Sequence, residues 1–365
     1  MTRIAILTPT FSIADAVSND VLAMRNALRH RGHEVNIFAE SSNVPGEDTA
    51  EPANALSFLN GPDDVLIYHH SIGSAECLET IKAVSCRKIV KYHNVTPPSF
   101  FAGVSAKHER LCASGQSQLE EIIKFRPDLY LADSAFNKSD LVAAGSEAGK
   151  TFVLPPFNQA GELLAGEVNF ELLDEYDDDV VNLLTVGGVR PNKGHVDLIE
   201  AFAIYHYDFN AHVRLFIVGG TNESFEEYAA KVEHAIDWWS IGSRIVFTGE
   251  VTGDVLKSYY LLADAMLITS EHEGFCVPLV EAMAMKVPII AYDSTAIPET
   301  AADAAILWHK RDPYLMAQSI DFIQANDAAR MALVYRGSRR YEQSFSYAAI
   351  EKQFFDLTAL AGFSF

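Results

Sequence analysis

The stretch SEHEGFCVPLVE, residues 270–281, decides how the rest of the chain is read. It is entered from ADAMLITS (263–270), a short apolar run of strand type, and its continuation LVEAMAMKVPIIAY (279–292) passes from a short helix into a second apolar strand. Strand, loop, helix and strand in that order make one βαβ unit of a parallel sheet. Pro278 suits the first helical position, where a missing N–H costs nothing. Gly274 lets the preceding loop fold tightly. A helix N-terminus fed by such a loop offers free N–H donors at the positive end of a dipole, which suits a phosphate. Glu273 on the loop and Glu281 in the first helical turn flank that spot. Glu281 also suits the plainer role of complementing the dipole, so the unit alone leaves its function open.

The spacing adds to this. E-G-F-C-V-P-L-V-E, with the two glutamates eight positions apart around Gly-Phe and Pro, resembles the signature of glycosyltransferase family 4. Those proteins are retaining nucleotide-sugar transferases of GT-B architecture, in which two doubly wound Rossmann-like domains face each other across a cleft. The resemblance implies that Glu273 faces the donor sugar and diphosphate, and that Glu281 holds the ribose hydroxyls. It also implies that the Gly274, Phe275 and Cys276 backbone lies against the diphosphate.

Length and composition bound the class. At 365 residues the chain is long for one core and comfortable for two domains. No apolar run approaches the roughly 18 residues that span a bilayer. The opening MTRIAILTPTF reads as a buried strand and not as a signal peptide. The four cysteines (Cys77, Cys86, Cys112, Cys276) show no CxxC pairing, so neither a zinc site nor a disulfide framework is expected, and a cytoplasmic setting is. The net charge of −21 argues against nucleic acid. Residues 1–150 hold 14 Lys and Arg against 18 Asp and Glu, which leaves 14 against 31 for residues 151–365. The first half is therefore the one that could meet an anionic membrane surface, as a weak peripheral contact at an inner membrane face. Arg25, Arg29, His30 and Arg31 suit that contact, and equally suit a solvated helix end.

Apolar strands alternate with helical stretches through both halves. The first runs through RIAILTP, a helix closed by Gly32, VNIFAE, an acidic loop (41–52), DVLIYHH, a helix over 75–84, KIVKYHN, DLYLADS, a helical run from Lys138 and TFVLPPF. Residues 158–179 break the rhythm and end in an acidic cluster, as a linker would. The alternation resumes with VNLLTVGG, VRLFIVGG, RIVFTGE, AMLITS and VPIIAY. This gives an α/β fold with a first domain over 1–157, a linker over 158–179 and a second, nucleotide-sugar-binding domain over 180–338. In the family a terminal helix returns to the first domain, which is expected here over 339–365.

Other segments carry candidate chemistry. TVGGVRPNKGH (185–195) follows a strand and opens a helix. Gly187 and Gly188 permit close backbone approach, and Arg190 and Lys193 bring positive charge to a phosphate. The family's strand-end loop clamps the diphosphate with an Arg and a Lys. Its arginine usually stands where this chain has Gly188, and Arg190 comes two residues later. His93, at the end of the strand in KYHNVTPPSFF, resembles the family's histidine over the donor sugar, either bonding a sugar hydroxyl or backing the developing charge. His69 and His70 end another strand and face opposite ways, so they cannot chelate one metal together. One of them, with Ser71 and Gly73, is a candidate for the acceptor side. The first strand-to-helix turn lacks the family's Gly-Gly, and Asn19 or Asp20 suits a helix cap there. Asp133 and Ser134 end a further strand, where Ser134 matches the family and also suits a cap. Gly249, after Phe247, leads into the segment that encloses the nucleotide base in the family, and Ile297–Glu299 follow the last core strand.

No Asp-x-Asp pair follows an apolar strand, and the cationic side chains with the helix N-terminus can neutralise a diphosphate, so no metal or other cofactor is expected. The expected partners are a nucleotide-sugar donor, a UDP-hexose or GDP-mannose, and a saccharide or lipid-linked saccharide acceptor of polysaccharide, lipopolysaccharide or glycolipid assembly. Two alternatives stand beside this hexosyltransferase: another GT-B enzyme, such as a nucleotide-sugar epimerase or a phosphorylase, and a non-catalytic binding subunit of the same fold.

Overall fold

The computed structural model describes residues 2–13 and 15–365. The chain forms two compact units, each built on one parallel sheet. The first comprises residues up to Ala102, Ala106–Asn158 and Tyr347–Phe365; the second comprises Gly103–Ser105 and Gln159–Ser346.

In the first unit the strands are β1 (Arg3–Phe11), β2 (Glu34–Ser42), β3 (Thr49–Ala50), β4 (Val65–His70), β5 (Arg87–Tyr92), β6 (Leu129–Ala132) and β7 (Thr151–Val153), in the order β3-β2-β1-β4-β5-β6-β7. The chain winds outward from β1 to one edge, then returns to β4 on the other side. The order therefore reverses between β1 and β4, and in such sheets ligands sit at the carboxyl ends of the strands beside that reversal. The central strands are apolar on both faces because helices cover both. Ile4, Ile6, Ile67, Ile89 and Leu131 meet Val21, Met24 and Leu28 of the helix Ala16–His30 in one core, together with Ile350 and Phe354.

The second unit repeats the scheme with β8 (Val181–Val186), β9 (Val213–Val218), β10 (Ile245–Gly249), β11 (Ala265–Ile268), β12 (Ile289–Tyr292) and β13 (Ala305–Trp308), ordered β10-β9-β8-β11-β12-β13. Its reversal lies between β8 and β11. The period of two along each strand splits the core: Leu184, Phe216, Met266 and Ile268 pack on one face, and Leu183, Leu215, Ile217 and Leu267 on the other.

Several boundaries differ from expectation. Residues 158–179 are not a bare linker. They contain the helices Ala160–Ala165 and Phe170–Glu175, and Ala160, Leu163, Leu172 and Tyr176 pack into the second unit's core. Lys257 Nζ donates to the carbonyls of Leu164 and Gly166, and Asn169 N–H donates to Ser258 Oγ, which fastens the segment down. The returning terminal helix is Tyr347–Leu360 and not a helix from residue 339. The helix Asp327–Arg340 and a π-helical turn over Tyr341–Phe345 precede it, within the second unit. The first helix is capped by Asp15, whose carboxylate accepts from Ser18 N–H at 2.9 Å, not by Asn19 or Asp20. The helical run expected from Lys138 starts at Ala135, capped by Ser134. The helix Ala106–Lys124 was not anticipated from the apolar pattern, since its buried face includes Gly115 and Gln118.

The basic group of the first helix is largely committed within the first unit. Arg25 pairs with Glu47, Arg29 donates to the Val35 carbonyl, and the Arg31 guanidinium lies 4.2 Å from the centroid of the Phe355 ring. No described helix is long and apolar enough to cross a membrane.

Candidate functional site

The second unit gathers its polar residues at the β8/β11 reversal. The loop after β8 contains a short 3-10 turn, Pro191–Lys193, and ends at Gly194 with φ 66°. A Cβ on Gly194 would stand 2.2 Å from the Thr269 carbonyl oxygen, so only glycine lets this loop close on the end of β11. Three bonds staple the two loops together: Asn192 Nδ2 donates to the His272 carbonyl, Glu271 N–H to the Asn192 carbonyl, and Thr269 Oγ1 to the Lys193 carbonyl. The result places Lys193 Nζ 2.7 Å from Glu273 Oε1, with side chains 22% and 10% exposed. Burial works against the Lys193 charge, but Glu273 outweighs it and holds the lysine above its ordinary pKa.

Thr295 locks the glutamate's backbone. Its hydroxyl accepts from Glu273 N–H at 2.8 Å and donates to Glu273 O at 2.7 Å. The helix Val277–Ala284 then starts from Cys276, which has φ 72° and ψ 71°, a left-handed conformation that costs a side-chain-bearing residue about 1–2 kcal/mol. Among the described residues, the N–H groups of Phe275, Cys276 and Val277 have no intramolecular acceptor. Of these residues Cys276 lines a small cavity, partly open to solvent, together with Lys193, Glu273, Gly187, His195 and Ser270. Burial pushes the Cys276 thiol far above its ordinary pKa, so it stays protonated and unreactive. His195 is pushed down to about 4 by burial and by Lys193, so its imidazole is neutral.

Among the expected site residues, Gly187, Lys193, Glu273 and Cys276 meet at this cavity. Glu281 lies in the second helical turn, not the first, because the helix begins at Val277; it is half-buried, and Tyr260 Oη donates to its Oε2 at 2.8 Å. Burial raises its pKa, against the Tyr260 bond. Gly274 leads into the helix without lining the cavity, and Phe275 turns inward onto Phe345. Arg190 is exposed, outside the cavity and in no ion pair among the described residues; Gly188 sits beneath it, 3.5 Å from a would-be Cβ to Nε. Gly249 ends β10 and bridges to Gly219, also away from the cavity. Asn192, Thr295 and Tyr260 were not anticipated. A buried Asn between Pro and Lys was the one available hint; the roles of the other two depend on contacts 21 and 22 residues away.

In the first unit, His93 stands just past β5, and its side chain is only 4% exposed. Its Nδ1–H donates to Asp133 Oδ2 at 2.9 Å, and its Nε2 faces His69 Nδ1 at 2.9 Å. Both nitrogens are thus engaged, so a bond from His93 to a sugar hydroxyl would require breaking one of these. His70 is a structural residue: its Nε2–H donates to the Gly115 carbonyl, its Nδ1 accepts from Tyr68 Oη, and burial pushes it down to about 4. Gly73 packs against the helix Ala106–Lys124, where a Cβ would come within 2.8 Å of Gly115 N.

Comparison with known proteins bears on the family and the fold. Residues 174–340 match the family described as "Glycosyl transferases group 1". Among curated proteins, the chain is 29% identical over 141 residues to the lipopolysaccharide 1,2-N-acetylglucosaminetransferase of Salmonella typhimurium, covering 37% of this chain and 36% of that protein. It is 25% identical over 140 residues to the serotype-specific mannosyltransferase WbdA of Escherichia coli, covering 38% and 17%. The match thus spans about a third or less of these relatives' own length. In structure, sucrose-phosphate synthase from Thermosynechococcus elongatus superposes with a TM-score of 0.79 at 18% identity, over 99% of both chains. The Anabaena protein HepE, solved with UDP-glucose, gives 0.76 at 15% identity over 99% and 100%. WaaG, a glycosyltransferase involved in lipopolysaccharide biosynthesis, gives 0.73 at 14% over 97% and 99%. The fold is that of the GT-B glycosyltransferases.

Proposed function

We propose that this protein is a retaining glycosyltransferase that moves a hexose from a nucleotide diphosphate sugar to an acceptor hydroxyl, without a metal ion. The observation that carries the proposal is the Lys193–Glu273 pair at 2.7 Å, set beside an unsatisfied helix N-terminus at the β8/β11 reversal. A diphosphate entering the cavity would accept from the free N–H groups of Phe275, Cys276 and Val277 and share the Lys193 charge with Glu273. Exposed Arg190 is free to swing onto the outer phosphate oxygens. As the glycosidic bond breaks, negative charge grows on the leaving phosphate, which donors fixed in advance at this helix start would stabilise. Glu273, relieved of part of its bond to Lys193, would face the sugar as positive charge develops there. Glu281 has Tyr260 on one oxygen and leaves the other to accept from ribose hydroxyls. The leaving phosphate oxygen would take the proton of the incoming hydroxyl on the same face, which retains the anomeric configuration and needs no separate base.

The names of the matched relatives support a saccharide or lipid-linked saccharide acceptor in lipopolysaccharide or other polysaccharide assembly. A thermal-shift series with UDP, GDP and their hexose conjugates tests the donor class, since a ligand at a hundredfold its Kd adds about 2.7 kcal/mol of stability. A rise with one base series, lost in Lys193→Met, is expected. No rise with any nucleoside diphosphate would refute the proposal.

A further inference from the structure

In the second unit, the connection that follows β12 carries three hydroxyl side chains, and each donates to a carbonyl of the loop that follows β11. Ser294 Oγ donates to Ser270 O at 2.6 Å, Thr295 Oγ1 to Glu273 O at 2.7 Å and Thr300 Oγ1 to Phe275 O at 2.8 Å. Thr300 is fully buried, in the short helix Ile297–Ala301. Two features hold that helix in place. Arg340 donates from Nε to the Thr300 carbonyl and from Nη2 to the Glu299 carbonyl. On either side of the helix, Thr295 and Ala302 have φ 47° and 48°, a region that residues with side chains rarely enter and keep only where their surroundings fix them.

A trans peptide is planar, with its N–H opposite its C=O, so tying a carbonyl to one side aims the next residue's N–H to the other. The first of the three bonds gives the direction. Ser270 O is held by Ser294, and the N–H of the same peptide, that of Glu271, donates across to the Asn192 carbonyl on the loop after β8. By the same geometry the Phe275 carbonyl, held by Thr300, turns Cys276 N–H away from the helix Ile297–Ala301. The carbonyls on both sides of the left-handed Cys276 are tied down, since Cys276 O accepts from Leu279 N–H at 3.0 Å. Of these two ties, only the Thr300 bond comes from outside the helix Val277–Ala284. Cys276 N–H itself has no acceptor among the described residues, and Cys276 lines the cavity with Lys193 and Glu273.

We propose that Thr300 is a positioning residue for the anion side of this site: by holding the Phe275 carbonyl, it presets Cys276 N–H as a donor to a diphosphate. That the anion is a diphosphate rests on the transferase reading, whereas the aim of the N–H rests on the geometry of this unit alone. A plainer role, in which the hydroxyl only satisfies a buried carbonyl, would make Thr300 matter to stability and not to anion binding. Two substitutions separate these roles. Valine keeps the shape of threonine and loses the donor, and serine keeps the donor.

Cysteine-selective nitrogen-15 labelling of the full chain gives four amide signals, of which only that of Cys276 belongs to the second unit. Its loss in Cys276→Ser assigns it. Inorganic pyrophosphate should move the Cys276 amide proton downfield, as a bond to a charged acceptor does, and leave the other three signals in place. In Thr300→Val that shift should be lost, and pyrophosphate, UDP and GDP should bind about tenfold more weakly, with uridine and guanosine unchanged. Thr300→Ser should keep both the shift and the affinity of the wild type. A wild-type Cys276 signal that neither pyrophosphate nor a nucleoside diphosphate moves overturns the proposal. So does a Thr300→Val protein that melts earlier yet keeps the shift and the affinity. If Thr300→Val does not fold, Thr300→Ala is read by the same signals, with the same two outcomes. Pyrophosphate that moves the Cys276 signal in a protein that binds no nucleoside diphosphate would sink the transferase reading and leave the role of Thr300 standing.

Discussion

Opposite signs are expected from the two halves of the Lys193–Glu273 pair. Lys193→Met keeps the aliphatic stem and deletes the charge, leaving Glu273, 10% exposed, without its cation. An exposed ion pair contributes about 0–1 kcal/mol, whereas removing one partner of a buried pair costs about 3–5 kcal/mol. With side chains 22% and 10% exposed this pair lies between those limits, so a loss of about 1–3 kcal/mol in stability is expected. On the ligand side, a charge-assisted bond of about 1.5–3 kcal/mol is forfeited, so UDP or GDP should bind roughly 10- to 150-fold more weakly.

Glu273→Gln should instead tighten the diphosphate, because it frees Lys193 from its competitor and removes a like charge. Two charges ~8 Å apart at an effective dielectric near 20 interact by about 2 kcal/mol before salt screening, so a gain of about 1 kcal/mol, roughly fivefold, is a fair expectation. Turnover should fall all the same, since the glutamate's contact with the sugar is assigned to the transition state. Calorimetric titration with UDP and GDP, with uridine and guanosine as controls, separates the cases on protein kept well below its melting point. If Glu273→Gln weakens the diphosphate as much as Lys193→Met does, the pair is a structural clamp and the site assignment fails.

Three further outcomes can be checked. At Cys276, where φ is 72°, Cys276→Gly should be more stable than Cys276→Ala by about 1 kcal/mol, the reverse of the order at an ordinary helical position; equal denaturation midpoints would mean the left-handed conformation is not held in solution. His70 and His195 are both depressed to about 4 by burial, so their stabilising contribution is present above pH ~6.5 and lost as the pH falls through about 4. Urea denaturation should then show stability declining on acidification across that window by up to about 1.4 kcal/mol per pH unit for each histidine, and a flat profile would contradict their buried, neutral state. Transfer activity should survive excess EDTA, since Lys193, Arg190 and the helix N-terminus are assigned the charge neutralisation; loss of activity with rescue by Mg²⁺ or Mn²⁺ would refute it.

The doubly wound architecture was legible because buried parallel strands are nearly continuous apolar runs, and RIAILTP, DVLIYHH, VNLLTVGG and AMLITS each stand out between helical periods. Lys193 and Glu273 were legible because a strand-end loop that meets a helix must place its few polar residues near the helix N-terminus. The segment 158–179 was not, because its two helices have six residues each, too few for a 3.6-residue period to show, and its acidic end masks Leu163, Leu172 and Tyr176. Asp20 was misread as a cap for a related reason. Its defining bond is to Phe157 N–H, 137 residues away, and nothing local separates a capping aspartate from one buried in the second turn. Lys91 inside the apolar strand KIVKY was the available signal that a buried counter-charge existed.

The two polar clusters share an origin and differ in what they can do. Where the order of a parallel sheet reverses, neighbouring strands send their connections to opposite faces, and the carboxyl ends between them are left without a covering loop. Each unit fills that gap with charge. In the second unit the filling stays partly exposed: Lys193 and Glu273 satisfy one another, while the start of the helix Val277–Ala284 keeps donors unspent. Such a site has bonds to offer an anion. In the first unit the same gap is closed by Asp20, His69, Lys91, His93 and Asp133, which bond one another and the buried backbone, leaving Asp20 Oδ2 and His69 Nε2 unpartnered and out of reach of solvent. A cluster of that kind has little hydrogen bonding to give a ligand, because moving one member would strand another in a medium of low dielectric. The second cluster can therefore offer bonds to an anion, and the first cannot do so without breaking its own.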